Sequence, residues 1–331
     1  MHSRRLSIII PARDCAPFLG TMFTSLQQQS LDLSRTEIIF IDDGSTDETQ
    51  EVICQYGTAF PGLSVIKNAA PVGLANGRNQ GIARATGEYI AFLDGDDWLF
   101  PNHLSQALAA ISSLNVEYVR CDHTRVQGHH RELRRAPIGI RNRALPPRAG
   151  LLPAHHSTMV DYPYAWAGIF HRSIADSGLL WFPEGYLTAE DRPWIWNLHL
   201  NAESFAVVDA PGIAYRRGRS TSLSQVLDRR QLYFIRAFEK IFQLVGNDQD
   251  AEALLPKAVR NWLAILHHQA QRFAGADRAL AREFTREARR VTAAIPWPVL
   301  KAEYSASRRD RRLAVYRFMP RRSALMTEFA R

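Results

Sequence analysis

Short apolar runs alternate with stretches of helical spacing through the first 126 residues. The runs "LSIII" (6–10), "EIIFID" (37–42), "LSVIKN" (63–68), "YIAFLD" (89–94) and "VEYVRCDHTRV" (116–126) read as strands. Between them, "FLGTMFTSLQQQ" (18–29), "TDETQEVICQYGTAF" (46–60), "LANGRNQGIARAT" (74–86) and "PNHLSQALAAISSLN" (101–115) predict helices, with Thr46 as a cap of the second and Pro101 in the first turn of the last. Strands of this length alternating with helices imply βαβ units and a mostly parallel sheet covered on both faces, an α/β fold. The basic, proline-bearing residues 127–150 read as a long loop over the sheet edge, and 151–224 mix aromatic and polar stretches. From 225 to 331 apolar residues recur every three or four positions, so this region is helical, either a packed appendage or an oligomerisation element. The chain thus divides near residue 224, and it carries no internal repeat or low-complexity tract.

Composition narrows the class. A chain of 331 residues with 46% hydrophobic and 22% charged content buries a sizeable core, as one large domain or two smaller ones. No run of eighteen apolar residues predicts a spanning helix, and the apolar N-terminal stretch is too short for a secretory signal. Three scattered cysteines, Cys15, Cys54 and Cys121, point to a reducing compartment, the cytoplasm, with no disulfide framework. The net charge of +8 is uneven: residues 308–322 hold seven arginines against one aspartate. With Leu313, Val315, Tyr316, Phe318 and Met319 interleaved, that tail suits the inner face of an anionic membrane, a nucleic acid, or solvent.

Candidate chemistry lies where a parallel sheet places it, beyond the carboxyl ends of the strands. "PARD" follows the first strand, "DDGSTD" the second and "DGDD" the fourth. No G-x-G-x-x-G follows the first strand, and no G-x-x-x-x-G-K-[ST] exists, which argues against dinucleotide and P-loop chemistry. Asp94, Asp96 and Asp97 crowd four positions, so they either decorate a solvated turn or surround a hard cation such as Mg²⁺ or Mn²⁺ that keeps positions open for substrate phosphates. Asp42 and Asp43 stand near the switch point, with Ser45, Thr46 and Asp47 read as helix caps. Asn76, Arg78 and Asn79 share one turn, where Arg78 could meet a phosphate, a base carbonyl or a surface acid. His155, His156, His171 and His199 lack zinc spacing, with His171 kept as an acceptor-site candidate. "DYPYAWAGIFHR" (161–172) is either a sugar platform or core.

The segments "SIIIPARDCAPFLGTMFTSLQQQ", "EIIFIDDGSTDET" and "GLANGRNQGIARATGEYIAFLDGDDW" together resemble the family 2 glycosyltransferases over residues 6 to about 126. The resemblance implies inverting enzymes with the Rossmann-like GT-A fold, here a catalytic domain over 1–224 (donor half 1–126, acceptor half 127–224) followed by the helical 225–331. It places Pro11, Arg13, Asp43, Asn76, Arg78, Asp94 and Gly95 around a nucleotide-sugar donor, with a UDP-sugar expected, and Asp96 with Asp94 on Mn²⁺ or Mg²⁺. Arg13 replaces the aromatic residue usual at its position, and its guanidinium plane can stack in that place. A second acidic site is implied downstream at a helix start; "GYLTAEDRPWIWNLHL" (185–200) supplies Glu190 and Asp191, with Asp191 as the base and Glu190 orienting acceptor or donor. "AYRRGRSTSLS" (214–224) resembles the family's basic loop over the diphosphate, with Arg217 and Ser222 as candidates and Arg216 and Arg219 undecided. The acceptor expected is a glycan, a polyol-phosphate polymer or a lipid-linked chain, with membrane contact through the tail, self-association through the C-terminal helices and no nucleic acid. The contrasting reading is a non-catalytic basic protein that binds an anionic polymer or nucleic acid.

Overall fold

A computed structural model describes residues 5–218 and 227–320. They fall into two compact units, one made of 5–151 and 158–218, the other of 152–157 and 227–320. The first unit runs β1 (Leu6–Ala12), α1 (Ala16–Gln27), β2 (Thr36–Asp42), α2 (Thr49–Gly57), β3 (Leu63–Lys67), α3 (Leu74–Arg84), β4 (Tyr89–Phe92), β5 (Trp98–Leu99), α4 (His103–Leu114), β6 (Tyr118–Gln127), β7 (His130–Arg134), β8 (Gly168–His171), α5 (Arg172–Asp176), α6 (Asp191–Asn201) and β9 (Phe205–Arg216). The strands form one sheet in the order β3-β2-β1-β4-β8-β6-β9-β5, with β7 paired to β6. The stretch β3-β2-β1-β4 is parallel, as is β6 with β9; β8 runs antiparallel to both its neighbours.

Every residue of β1 and β2 is buried, as helices on both sides of a parallel sheet demand. Helix α3 lies close on these strands because Gly81 has no side chain: a Cβ there would stand 2.2 Å from Ile9. Gly168 lets β8 slip in beside β6, since a Cβ would come within 2.1 Å of the Val119 carbonyl.

Four local expectations change. Residues 127–150 are not all loop, because β7 folds back on β6 with Gly128 (φ +54°) in the turn. The hairpin is exposed and built of charged residues, so it carries no apolar alternation. The strand after α4 is not the next parallel neighbour of β4, because four-residue β8 is inserted between β4 and β6. Helix α2 begins at Thr49, not near Thr46; the Asp47 carboxylate accepts from the Thr49 amide at 3.1 Å. Pro101 precedes α4, which starts at His103 after Asn102 in the left-handed region (φ +62°).

The second unit comprises α7 (Tyr233–Gly246), α8 (Ala251–Arg272), α9 (Arg278–Ala294), α10 (Trp297–Ala306) and α11 (Arg309–Val315). Among the described residues, the helical pattern expected from 225 begins with a 3-10 turn at Arg229–Leu232 and continues as α7 from Tyr233. Its core is aromatic: Trp262 stacks on Phe234 and meets Phe238, while Phe284 packs against Phe273 and Phe318. The Trp262 indole N–H, buried with those rings, donates to the Thr292 hydroxyl at 3.1 Å. Among the described residues no helix is long and apolar enough to cross a membrane.

Candidate active site

The loops after β1 and β2 are tied to one another. The Asp14 amide donates to Ser45 Oγ (3.0 Å), and the Asp14 carboxylate accepts from the Thr46 amide (2.8 Å). That exchange holds Asp14 at φ +48° and leaves Arg13 exposed, 3.5 Å from Asp14. Pro11 is buried inside β1, in register with Ile41.

Asp43 is buried and tied to the connection between β3 and α3: it accepts from the Asn68 side chain (2.9 Å) and from the amides of Val72 (2.7 Å) and Gly73 (2.9 Å). It therefore fixes the entrance of α3, where Gly73 takes φ +90°. Asn76 bonds back to the Val72 carbonyl at 3.0 Å.

One turn further, Arg78 is 3% exposed and faces two acids from distant parts of the chain. Its guanidinium donates to Asp94 at 3.0 Å and to Glu190 at 3.3 Å, and lies 5.1 Å from the centre of the Phe182 ring. Phe182 is held in turn by Asn79, whose amide both donates to and accepts from the Phe182 backbone at 2.9 Å. Burial works against the charge of Arg78, but Asp94 and Glu190 outweigh it and raise its pKa.

Gly95 carries the chain across β1, where a Cβ would lie 2.6 Å from that of Ala12. Asp94 and Asp96 are partly exposed, while Asp97 is buried. One Asp97 oxygen accepts from the Arg216 amide (2.7 Å); the other is buried with no hydrogen-bond partner. Burial pushes the Asp97 carboxyl well above its ordinary range, and the charges of Asp96 and Asp94 add to it. Asp94 is raised by burial and by Asp96 against the pull of Arg78. The turn is thus an all-oxygen, mutually repelling set with an orphaned carboxylate oxygen, the donor chemistry of a hard dication. Among the described residues no three His, Cys, Asp or Glu side chains form a ready cage, so such an ion would need oxygens from a ligand.

Glu190 and Asp191 open α6, immediately after Ala189 in the left-handed region (φ +62°). Burial and the neighbouring Asp191 charge push Glu190 up to about 7, with Arg78 opposing. Asp191 is raised by burial, while Arg192, Arg78 and the first amides of α6 work against the rise. Burial therefore raises both carboxyls, and Arg78 opposes the rise in each.

Arg216 and Phe18 are functional neighbours that the sequence reading left undecided or missed. The Arg216 guanidinium sits between the rings of Phe18 (4.8 Å) and Trp98 (4.7 Å), and its Nε donates to the Asp96 carbonyl at 2.9 Å. It braces the acidic turn from β9. Arg217 donates to the Tyr215 hydroxyl at 3.0 Å, and that phenol is within the fields of Asp97 and Asp94. Ser222 and Arg219 lie outside the described residues.

His171 stands in register with Tyr89, at the end of β4 remote from Asp94, and caps α5; it does not belong to this cluster. Of the aromatic stretch, Tyr162, Trp166 and Phe170 are core and only Tyr164 is partly exposed, so the stretch is mostly packing.

The profile described as Glycosyl transferase family 2 matches residues 7–178. The uncharacterized glycosyltransferase EpsJ of Bacillus subtilis is 30% identical over 67% of this chain and 63% of its own length. The poly(ribitol-phosphate) beta-N-acetylglucosaminyltransferase TarS of Staphylococcus aureus is 23% identical over 65% of this chain and 36% of its own. The matches to these curated relatives therefore span under two thirds of their length. The crystal structure of S. aureus TarS 1–349 in complex with UDP-GlcNAc aligns over 96% of this chain and 93% of that one, with a TM-score of 0.74 at 17% identity.

Two measurements follow from the geometry. Arg78→Met leaves Asp94 and Glu190 buried without their counter-charge, and should lower the stability by about 3–5 kcal/mol in urea unfolding at pH 8; a loss below ~1 kcal/mol would mean the ion pairs carry little. Glu190 has a folded pKa of about 7 against an ordinary 4.5. Its contribution is therefore fully present below about 4.5 and lost as the pH rises through about 7. Glu190→Gln should flatten this part of the Tm–pH profile and raise Tm by a few degrees at pH 8; an unchanged profile contradicts the assignment.

Proposed function

This chain belongs to glycosyl transferase family 2 and has the GT-A fold, and from that premise we propose that it transfers a sugar from a UDP-sugar to a hydroxyl of a glycan or polyol-phosphate polymer, inverting the anomeric centre. The observation that carries the reading is the pair of contacts from one guanidinium: Arg78 meets Asp94 at 3.0 Å and Glu190 at 3.3 Å, so the two acidic motifs share a centre. The donor would lie over residues 1–126 and the acceptor over 127–224. TarS supports the choice of donor and acceptor class, since its structure was solved with UDP-GlcNAc and its name specifies a poly(ribitol-phosphate) acceptor.

In this mechanism Asp191 accepts the proton of the acceptor hydroxyl. The hydroxyl oxygen forms its bond to the anomeric carbon while the carbon–oxygen bond to the diphosphate breaks on the opposite face, and the electron pair leaves with UDP. Glu190, pushed up to about 7, stays close to Arg78 and in its protonated form can donate a hydrogen bond to the bound sugar. Asp94 and Asp96 would hold Mn²⁺ or Mg²⁺, which would offset charge on the departing diphosphate. Arg78 acts on the reaction by keeping the two acidic groups together, and Arg216 by bracing the Asp96 carbonyl. Arg217 remains the candidate for the diphosphate.

The roles separate by variant. Asp191→Asn should lower the transfer rate at least ~10²-fold while UDP binding in the presence of Mn²⁺ is retained. Asp96→Ala should instead weaken Mn²⁺-dependent UDP binding, read by calorimetry. Transfer at the normal rate by Asp191→Asn places the base elsewhere. Absence of any Mn²⁺-dependent UDP binding by the unmodified protein favours a non-catalytic binding protein.

A further inference from the structure

The positive charge of the chain belongs to its C-terminal part. Residues 227–331 hold 21 Lys and Arg against 11 Asp and Glu, whereas residues 1–226 hold 20 against 22. Within the helical unit, α9 sorts its residues cleanly. Leu280, Phe284, Ala288 and Val291 face the core, and Arg278, Arg282, Arg286 and Arg289 emerge on the other side. At 1.5 Å per residue, these arginines recur roughly every 6 Å along about 16 Å of helix. They border an open trough of about 590 Å³ floored by Ala281 and Thr285.

The acids of the helix neutralise this face only at Arg286. Glu283 pairs with Arg229, Glu287 pairs with Arg286 and Arg290, and Asp277 caps the helix by accepting from the amides of Ala279 and Leu280. Among the described residues Arg278 and Arg282 have no ion-pair partner. The face also lacks the features of two other anionic partners. A helix lying in a membrane surface needs an outward apolar side, but the apolar side of α9 is buried. A single-stranded nucleic acid is gripped by aromatic rings between the cations, and no aromatic residue lines this trough. Evenly spaced cations over small residues suit a flexible chain bearing an anion at each repeat.

We propose that the outward face of α9 binds a linear phosphate-bearing polymer and tethers it to the protein. The further assignment of that polymer as the glycosyl acceptor rests on the function proposed above. Tethering raises the local concentration of acceptor ends without touching the chemistry. Loss of the face therefore acts on KM for a polymeric acceptor and spares kcat.

The test uses the full chain and labelled inorganic polyphosphate, read by fluorescence anisotropy at several salt concentrations. The triple variant Arg278→Gln/Arg282→Gln/Arg286→Gln should bind at least ~10-fold more weakly, with the slope of log K against log salt reduced by about 2. The equal-charge control Lys240→Gln/Arg308→Gln/Arg309→Gln, off this face, should change affinity less than ~3-fold. Thermal melts establish that both variants fold, and hydrolysis of the UDP-sugar should be the same in all three proteins. Wild-type affinity in the triple variant overturns the proposal, as does an equal loss in the control, which would reduce the effect to net charge. Tighter binding of duplex DNA than of polyphosphate overturns it, and so does binding of phosphatidylglycerol vesicles without binding of polyphosphate. If the unmodified protein binds polyphosphate yet hydrolyses no UDP-sugar, the tether stands and the glycosyltransferase assignment fails.

Discussion

The site is built on one buried cation. Arg78 draws together Asp94, sixteen residues away, and Glu190, one hundred and twelve residues away, by direct hydrogen bonds. Taking charged groups such as the Arg78 guanidinium out of water costs several kcal/mol per ion, so such a cluster adds little net stability and acts mainly as a geometric constraint. Its support comes from the same helix turn: Asn79 clamps the Phe182 backbone, and Phe182 stacks on Trp194 of α6 at 5.1 Å. Asp43 fixes the start of that helix, and Gly81 lets it sit on the sheet. Remove the guanidinium and Asp94 and Glu190 lose the one group that bonds to both.

The same cluster carries strain and unspent charge. Ala189 adopts φ +62° directly before Glu190, a conformation that costs an L-residue roughly 1–2 kcal/mol. The buried Asp97 carboxylate has one oxygen without a partner, and Glu190 is pushed up to about 7. Local costs of this kind persist where the surrounding fold over-determines the geometry, and they gather at functional sites. On the proposed reading, a cation beside Asp94 and Asp96 and a proton arriving on Asp191 relieve two of them.

Much of this could be read from the chain. The first acidic clusters follow apolar runs, and a parallel sheet sends whatever follows its strands to one rim; hence Asp43 and Asp94 were legible as candidates, while Glu190 was implied only by the family resemblance. Their partners were not legible, though. Asp43 accepts three hydrogen bonds from the connection between β3 and α3, and Arg78 pairs with two carboxylates. Neither fact leaves a local trace, because the partners of Arg78 lie far off in sequence and a residue type does not state its partner. The β8 insertion was hidden for a related reason: four residues inside an aromatic stretch carry too short a pattern to distinguish a strand from core packing. Hairpin β7 was hidden by its solvation, and the helix starts at Thr49 and His103 by side-chain and left-handed caps that shift a boundary by two or three residues. Arg216 was visible only as one of several arginines; its placement between Phe18 and Trp98 joins segments some two hundred residues apart.

The distribution of charge also bears on what must accompany a diphosphate here. Residues 1–226 carry slightly more acid than base, so the catalytic part has no broad positive field with which to draw in an anionic donor. Its nearby arginines are largely engaged: Arg78 with Asp94 and Glu190, Arg216 with two rings and the Asp96 carbonyl. On the proposed reading, two or more negative charges develop on UDP at a rim that already holds Asp94, Asp96 and Asp97. Arg217 alone cannot balance that sum. A dication held by Asp94 and Asp96 would offset both repulsions, so on that reading the acidic turn, unfavourable by itself, makes physical sense as half of a site whose other half arrives with the donor.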